Sequence, residues 1–258
     1  MPDVDYLAVR GVSKQFDAGT GAVSAIRDVT FSVRRGSFVS ILGPSGCGKS
    51  TLFNIIAGLL PPTGGDVTLN GTSIISKAGQ IGYMLQKDLL LPWRSIEDNI
   101  ILGQTLRGVS RSDARAAASP LIKRCGLDHF QRKKPHQLSG GMRQRAALLR
   151  TLLTGKDVLL LDEPFGALDA ITRLQLQMTL MDVWQEMGKT ILFVTHDVEE
   201  AVLLSDEIIV LTNRPGKISA RLPVPLPRPR TAEMLASPEL LSLKAQLMSL
   251  LLKEVRLT

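Results

Sequence analysis

The sequence predicts an α/β fold with an N-terminal antiparallel β piece and an inserted α-helical lobe. Three observations carry that prediction. The apolar run 38–42 leads into a glycine-rich loop and then a helical pattern, which reads as strand, loop, helix. Three later apolar runs, 158–161, 191–195 and 208–211, are separated by helical or loop stretches, as parallel strands joined by crossovers are. Between about residues 87 and 150 no comparable run appears, while 112–125 and 140–153 have helical character. The 258 residues, 44% hydrophobic and 21% charged, are enough for one sizeable core with a smaller lobe or tail.

Taken in order, runs 7–12 and 29–33 with Gly19-Thr20-Gly21 between them read as strands joined by a turn, hence the antiparallel piece. The helix expected over 50–59 has Gly58 near its end, and 81–85 is strand-like. Pro120 should break the helix 112–125. After Pro215, prolines at 223, 225, 227 and 229 predict an extended polyproline-like arm acting as a passive spacer. A terminal helix follows, and its leucines 240, 243, 247, 250 and 251 share one face, which should pack back on the body of the protein.

The formal net charge of +7 suits nucleic acid or an anionic membrane surface equally. Aromatic residues make up only 4% of the chain, which disfavours a base-stacking platform, and the basic clusters 34–35 and 132–134 and the arginines between Arg221 and Arg230 read as solvated surface. No apolar run approaches the ~20 residues of a membrane span, and the first residues lack a signal-peptide layout, so the chain is expected to stay on the cytosolic side. Cys47 and Cys125 form no metal-ligand pattern and are expected to be free thiols.

Gly43-Pro44-Ser45-Gly46-Cys47-Gly48-Lys49-Ser50 fits G-x-x-x-x-G-K-S, a loop whose N–H groups point at phosphate while the following helix adds its positive end. A P-loop NTPase core is the expectation. Lys49 should meet the outer phosphates of a nucleotide, Ser50 should give its hydroxyl to Mg2+, and Thr51 should bond the innermost phosphate. GTPases, kinases and helicases share this loop. The run 158–161 then delivers Asp162 and Glu163 at a strand end, where open α/β sheets place ligands. Asp162 would hold Mg2+ through water, and Glu163 would orient or deprotonate the attacking water.

Leu138-Ser139-Gly140-Gly141-Met142, shortly before that strand, makes the ordered set resemble the ATP-binding-cassette ATPases over residues 5–215 or so. The resemblance implies a cassette domain over 1–215, with its helical lobe at about 87–150, followed by the arm and helix 216–258. It implies ATP and Mg2+ as cofactors and a homodimer in which Ser139, Gly140 and Gly141 bind the terminal phosphate of ATP held by the other copy. By the same resemblance Gln86 touches Mg2+ and the attacking water, His196 contacts the terminal phosphate, Asp169 crosses the dimer interface, and Phe16 stacks on adenine. Phe16 stands where tyrosine is usual, and Met142 where glutamine is common.

Leu90-Leu91-Pro92-Trp93-Arg94, the run Asn213-Arg214-Pro215-Gly216-Lys217-Ile218 and Leu226-Pro227-Arg228-Pro229-Arg230 are similar to the ATPases of importers for nitrate, aliphatic sulfonates and taurine. That subgroup implies integral membrane permease partners, a solute-binding protein engaged indirectly, no nucleic acid, and a peripheral position on the cytoplasmic face of the inner membrane. The rivals are a soluble cassette ATPase acting on ribosome or DNA, and a GTPase. The chain has neither the second cassette nor the long coiled-coil insertion of the first, and no Asn-Lys-x-Asp run to read guanine.

Overall fold

The computed structural model describes residues 5–17, 19 and 21–256. The expected absence of a signal peptide at residues 1–4, and Thr20 of the first expected turn, lie outside them. Along the chain run β1 (Leu7–Asp17), β2 (Ala22–Val33), β3 (Phe38–Leu42), α1 (Lys49–Ile56), β4 (Gly64–Leu69), β5 (Thr72–Ser73) and β6 (Gly82–Met84). Helices α2 (Ile96–Ile100), α3 (Leu102–Leu106), α4 (Arg111–Arg124) and α5 (Gly140–Leu152) follow, then β7 (Val158–Asp162) and α6 (Ala170–Met187). The chain closes with β8 (Thr190–Val194), α7 (Val198–Leu204), β9 (Glu207–Leu211), β10 (Ile218–Pro223) and α8 (Pro238–Arg256). This is the expected α/β class, folded as two compact units: Met1–Gln80 with Lys189–Thr258, and Ile81–Gly188.

In the first unit β2-β1-β4-β5 form an antiparallel sheet, with Leu7 paired to Val33 on one side and Leu69 on the other. Leu7, Ala8, Val9 and Val12 are buried, and the strand becomes exposed toward its far end, with a register shift between Val9 and Val12. The other strands of this unit run β10-β9-β3-β8, and β3 is parallel to both its neighbours. All five residues of β3 and all five of β8 are buried, as strands covered on both faces are. Beside them Leu42, Val198, Val202, Ile208, Val210, Leu240 and Leu247 form a cluster, so α8 packs on α7 and on its own body, as its leucine stripe predicts.

Two expectations are corrected here. The arm after Pro215 is in part a strand: β10 pairs antiparallel with β9, Ile218 to Leu211 and Pro223 to Glu207. Proline is tolerated because β10 ends the sheet, where one side of the strand carries no ladder. Nor is the rest of the arm a passive spacer or its last arginine solvated surface, because Arg230 is 5% exposed and, with Arg228, anchors the arm to the carbonyls that end α7.

In the second unit β6 and β7 pair in parallel, Gly82 to Leu159 and Met84 to Leu161. Helix α5 lies against β6, β7 and α2. Helix α4 runs unbroken through Pro120, a third correction. Pro120 is exposed, so water can take the hydrogen bond that the carbonyl four residues earlier loses, and Ala114, Ala118 and Ile122 keep the buried stripe intact. Helices α2 and α3 are too short for a legible period. Among the described residues no helix is long and apolar enough to cross a membrane.

Candidate functional site

In the first unit the buried strand β3 carries the chain into Gly43 and α1 takes it up again at Lys49, so Gly43 to Gly48 form a tight loop between two rigid elements. Gly48 is the N-cap at φ +106, and a Cβ there would lie 2.8 Å from the Ala25 carbonyl oxygen. Only glycine meets both demands. The Lys49 ammonium donates to the carbonyls of Gly43 at 2.7 Å and Pro44 at 2.8 Å, so the loop is wound around its own cation. Cys47 is buried in the loop, and burial raises its thiol pKa, which keeps the sulfur protonated and inert. Both cysteines are free, and burial pushes Cys125 up to about 11. Ser50 and Thr51 stand in the first turn of α1, exposed and half-buried.

Gly216 supports this loop and could not have been read from sequence. It pairs with the β2 region through Gly216 N to Ala25 O at 3.0 Å and Arg27 N to Gly216 O at 2.9 Å. A Cβ on Gly216 would run into the Cys47 carbonyl oxygen. His196 follows β8 on an exposed turn, and Asp197 caps α7 through Glu199 N at 2.8 Å. Phe16 is 39% exposed near the end of β1, with the Lys14 ammonium 5.3 Å from its ring centroid.

In the second unit β7 is wholly buried and delivers Asp162, 4% exposed, and then half-buried Glu163. Burial and the Asp162 charge push the Tyr83 phenol up, so it stays neutral. Glu163 adopts φ +48, a left-handed conformation that stores about 1–3 kcal/mol in a non-glycine residue. Three contacts hold it: Gln86 Nε2 donates to Glu163 Oε2 at 3.1 Å, Gln144 Nε2 to the Glu163 carbonyl at 3.0 Å, and Gly166 N to the same carbonyl at 3.3 Å. The two residues expected to handle the attacking water are therefore in contact.

Gln144 is a second residue that sequence reasoning missed. Its amide is buried on α5 and also accepts from Ala167 N at 2.9 Å, tying the start of α5 to the turn after β7. Ser139 is the N-cap of α5, its Oγ accepting from Met142 N at 3.3 Å, so Gly140 and Gly141 open a helix whose first N–H groups have no partner within the helix. Asp169 caps α6 through Thr172 N at 3.0 Å, and that hydrogen bond holds its carboxyl below the usual range. The segment after Gln86 is pinned to α5 by Arg143 to Asp88 at 3.0 Å and by Arg150 to the Asp88 carbonyl at 2.6 Å, leaving Leu89 and Trp93 exposed.

A family model described as ABC transporter matches residues 26–166. The chain is 44% identical to the taurine import ATP-binding protein of Jannaschia sp. (strain CCS1) over 85% of this chain and 82% of that one. It is 43% identical to the nitrate import ATP-binding protein of Synechococcus elongatus over 97% of this chain and 39% of that longer one. Among solved structures, a dimeric bacterial ABC transporter cassette superposes with a TM-score of 0.78 at 32% identity, covering 84% of this chain and 98% of that one.

Proposed function

Because the chain belongs to the ABC transporters as an ATP-binding subunit that hydrolyses ATP to drive transport, we propose that it energises a membrane permease importing a small anionic or organic solute such as taurine, a sulfonate or nitrate. The observation that carries this reading is 44% identity to a taurine import ATP-binding protein spanned over 82% of its length. Exposed Leu89 and Trp93, on a segment braced by two arginines, offer the permease an apolar grip beside Gln86.

ATP phosphates bind in the loop of Gly43, Pro44, Ser45, Gly46, Cys47 and Gly48, through the N–H groups its non-proline residues carry, with Lys49 on the outer phosphates, Thr51 on the innermost and Phe16 against adenine. Glu163 takes the proton of the attacking water, oriented with Gln86, and His196 contacts the terminal phosphate. Ser139, Gly140 and Gly141 complete the site from a second copy, and Asp169 crosses between copies, so the working unit is a homodimer. A dimeric cassette of the same fold supports that assembly.

Ser50, Gln86 and Asp162 would hold Mg2+. Among the described residues no cluster of His, Cys, Asp or Glu makes a metal cage, and one buried carboxylate with hydroxyl and amide oxygens suits an ion that keeps its waters and binds largely through phosphate. Bound there, Mg2+ neutralises phosphate charge. The subunit sits at the cytoplasmic face of the inner membrane, engages a solute-binding protein only through the permease, and takes no nucleic acid. The test is uptake of labelled taurine, alkanesulfonate and nitrate by cells lacking this chain. Loss of one uptake, restored by the chain and not by Glu163→Gln, is expected. Normal uptake of all three, with a ribosomal or DNA defect instead, contradicts the reading.

A further inference from the structure

Helix α7 starts two residues after His196, and both of its ends are held by unusual means. At the start, Thr195 Oγ1 donates to Glu200 Oε2 at 2.6 Å and accepts from Asp197 N at 3.0 Å. The residues on either side of His196 are thereby tied to the first turn of α7 by a hydroxyl and a carboxylate that are both buried. The last carbonyls of a short helix need donors from elsewhere. Here Arg230 Nη1 takes Val202 O and Leu203 O at 3.0 Å and Ser205 O at 2.7 Å, and Arg228 Nη2 takes Leu204 O at 2.6 Å. Four successive carbonyls end on two guanidinium groups.

Arg230 is 5% exposed and its other contacts are again carbonyls, Val224 and Leu226. Burial, and the neighbouring Arg228 charge, pull it down to about 10. A spacer has no use for a buried cation so costly to desolvate, whereas a helix C-terminus is where its charge is favoured. From α8, Lys244 reaches Glu199 in the first turn of α7 at 2.6 Å, a half-exposed pair that adds little by itself.

We propose that the C-terminal strap is a positioning device for His196: Arg228 and Arg230 fix α7 from its far end, and Glu200 acting through Thr195 passes that position to the turn carrying the histidine. The inference rests on the reading of His196 as a contact to the terminal phosphate of ATP.

The experiment is a set of double-mutant cycles on ATP turnover by the full chain. Arg230→Met and Thr195→Val should each lower kcat about fivefold to twentyfold with KM for ATP within about threefold, and Thr195→Ser, which keeps the hydroxyl, should stay within about twofold of the parent. In a His196→Ala background the first two should change kcat by less than about twofold, because the group they position is gone. If Arg230→Met does not fold, the threonine pair carries the same cycle. Losses repeated in full in the His196→Ala background, or no loss from either single variant, overturn this inference and leave the role of His196 standing. Unchanged kcat in His196→Ala itself overturns both.

Discussion

Glu163 sits in a strained left-handed conformation, its carbonyl held by Gln144 and its carboxylate by Gln86. Strain of this kind persists only where neighbours over-determine it, and it aims one carboxylate oxygen. Glu163→Gln keeps the shape and removes the proposed base, so kcat should fall by more than about a hundredfold while the Kd for ATP stays within about threefold, by single-turnover and equilibrium titration. Gly216→Ala drives a methyl into the Cys47 carbonyl and should lower unfolding stability by about 2–4 kcal/mol in denaturant titration. The loop residues and Asp162-Glu163 were legible in sequence because their spacing is local. Gln144 and Gly216 were not, since their partners lie 19 residues and more than 160 residues away and no local pattern encodes the approach.

At the level of elements, the fully apolar strands and the helices at α1, α4, α5 and α8 were legible, whereas α6, β4, the first half of β2 and the sense of the prolines were not. Apolar runs 158–161 and 191–195 became β7 and β8 because full burial needs uninterrupted apolar sequence. Pro120 misled because a proline on the exposed side of a helix forfeits one hydrogen bond to water rather than to an apolar core. Pro120→Ala should therefore stabilise the protein by about 1–2 kcal/mol without altering ATP turnover, measured by thermal unfolding beside the ATPase rate. The alternating prolines of the arm exclude helix, as expected, but pairing with β9 is a long-range event that composition does not announce.

For the whole molecule, one chain carries each part of the proposed phosphate site once: a loop around Lys49, a carboxylate at Glu163, and a capped helix start at Ser139. A helix start built from Ser139, Gly140 and Gly141 is suited to anions, and in the proposed dimer it serves the ATP of the other copy. The resemblance that implies this rests on a run of five residues, whereas the transported solute left no trace, as expected if a permease reads it in the proposed importer. The most direct test of the two-copy site is the solution mass of Glu163→Gln by light scattering with and without ATP and Mg2+. ATP should convert it from monomer to a stable dimer carrying one nucleotide per chain, and Ser139→Arg in the same chain should abolish the conversion. A monomer that binds ATP fully at every protein concentration would contradict the account.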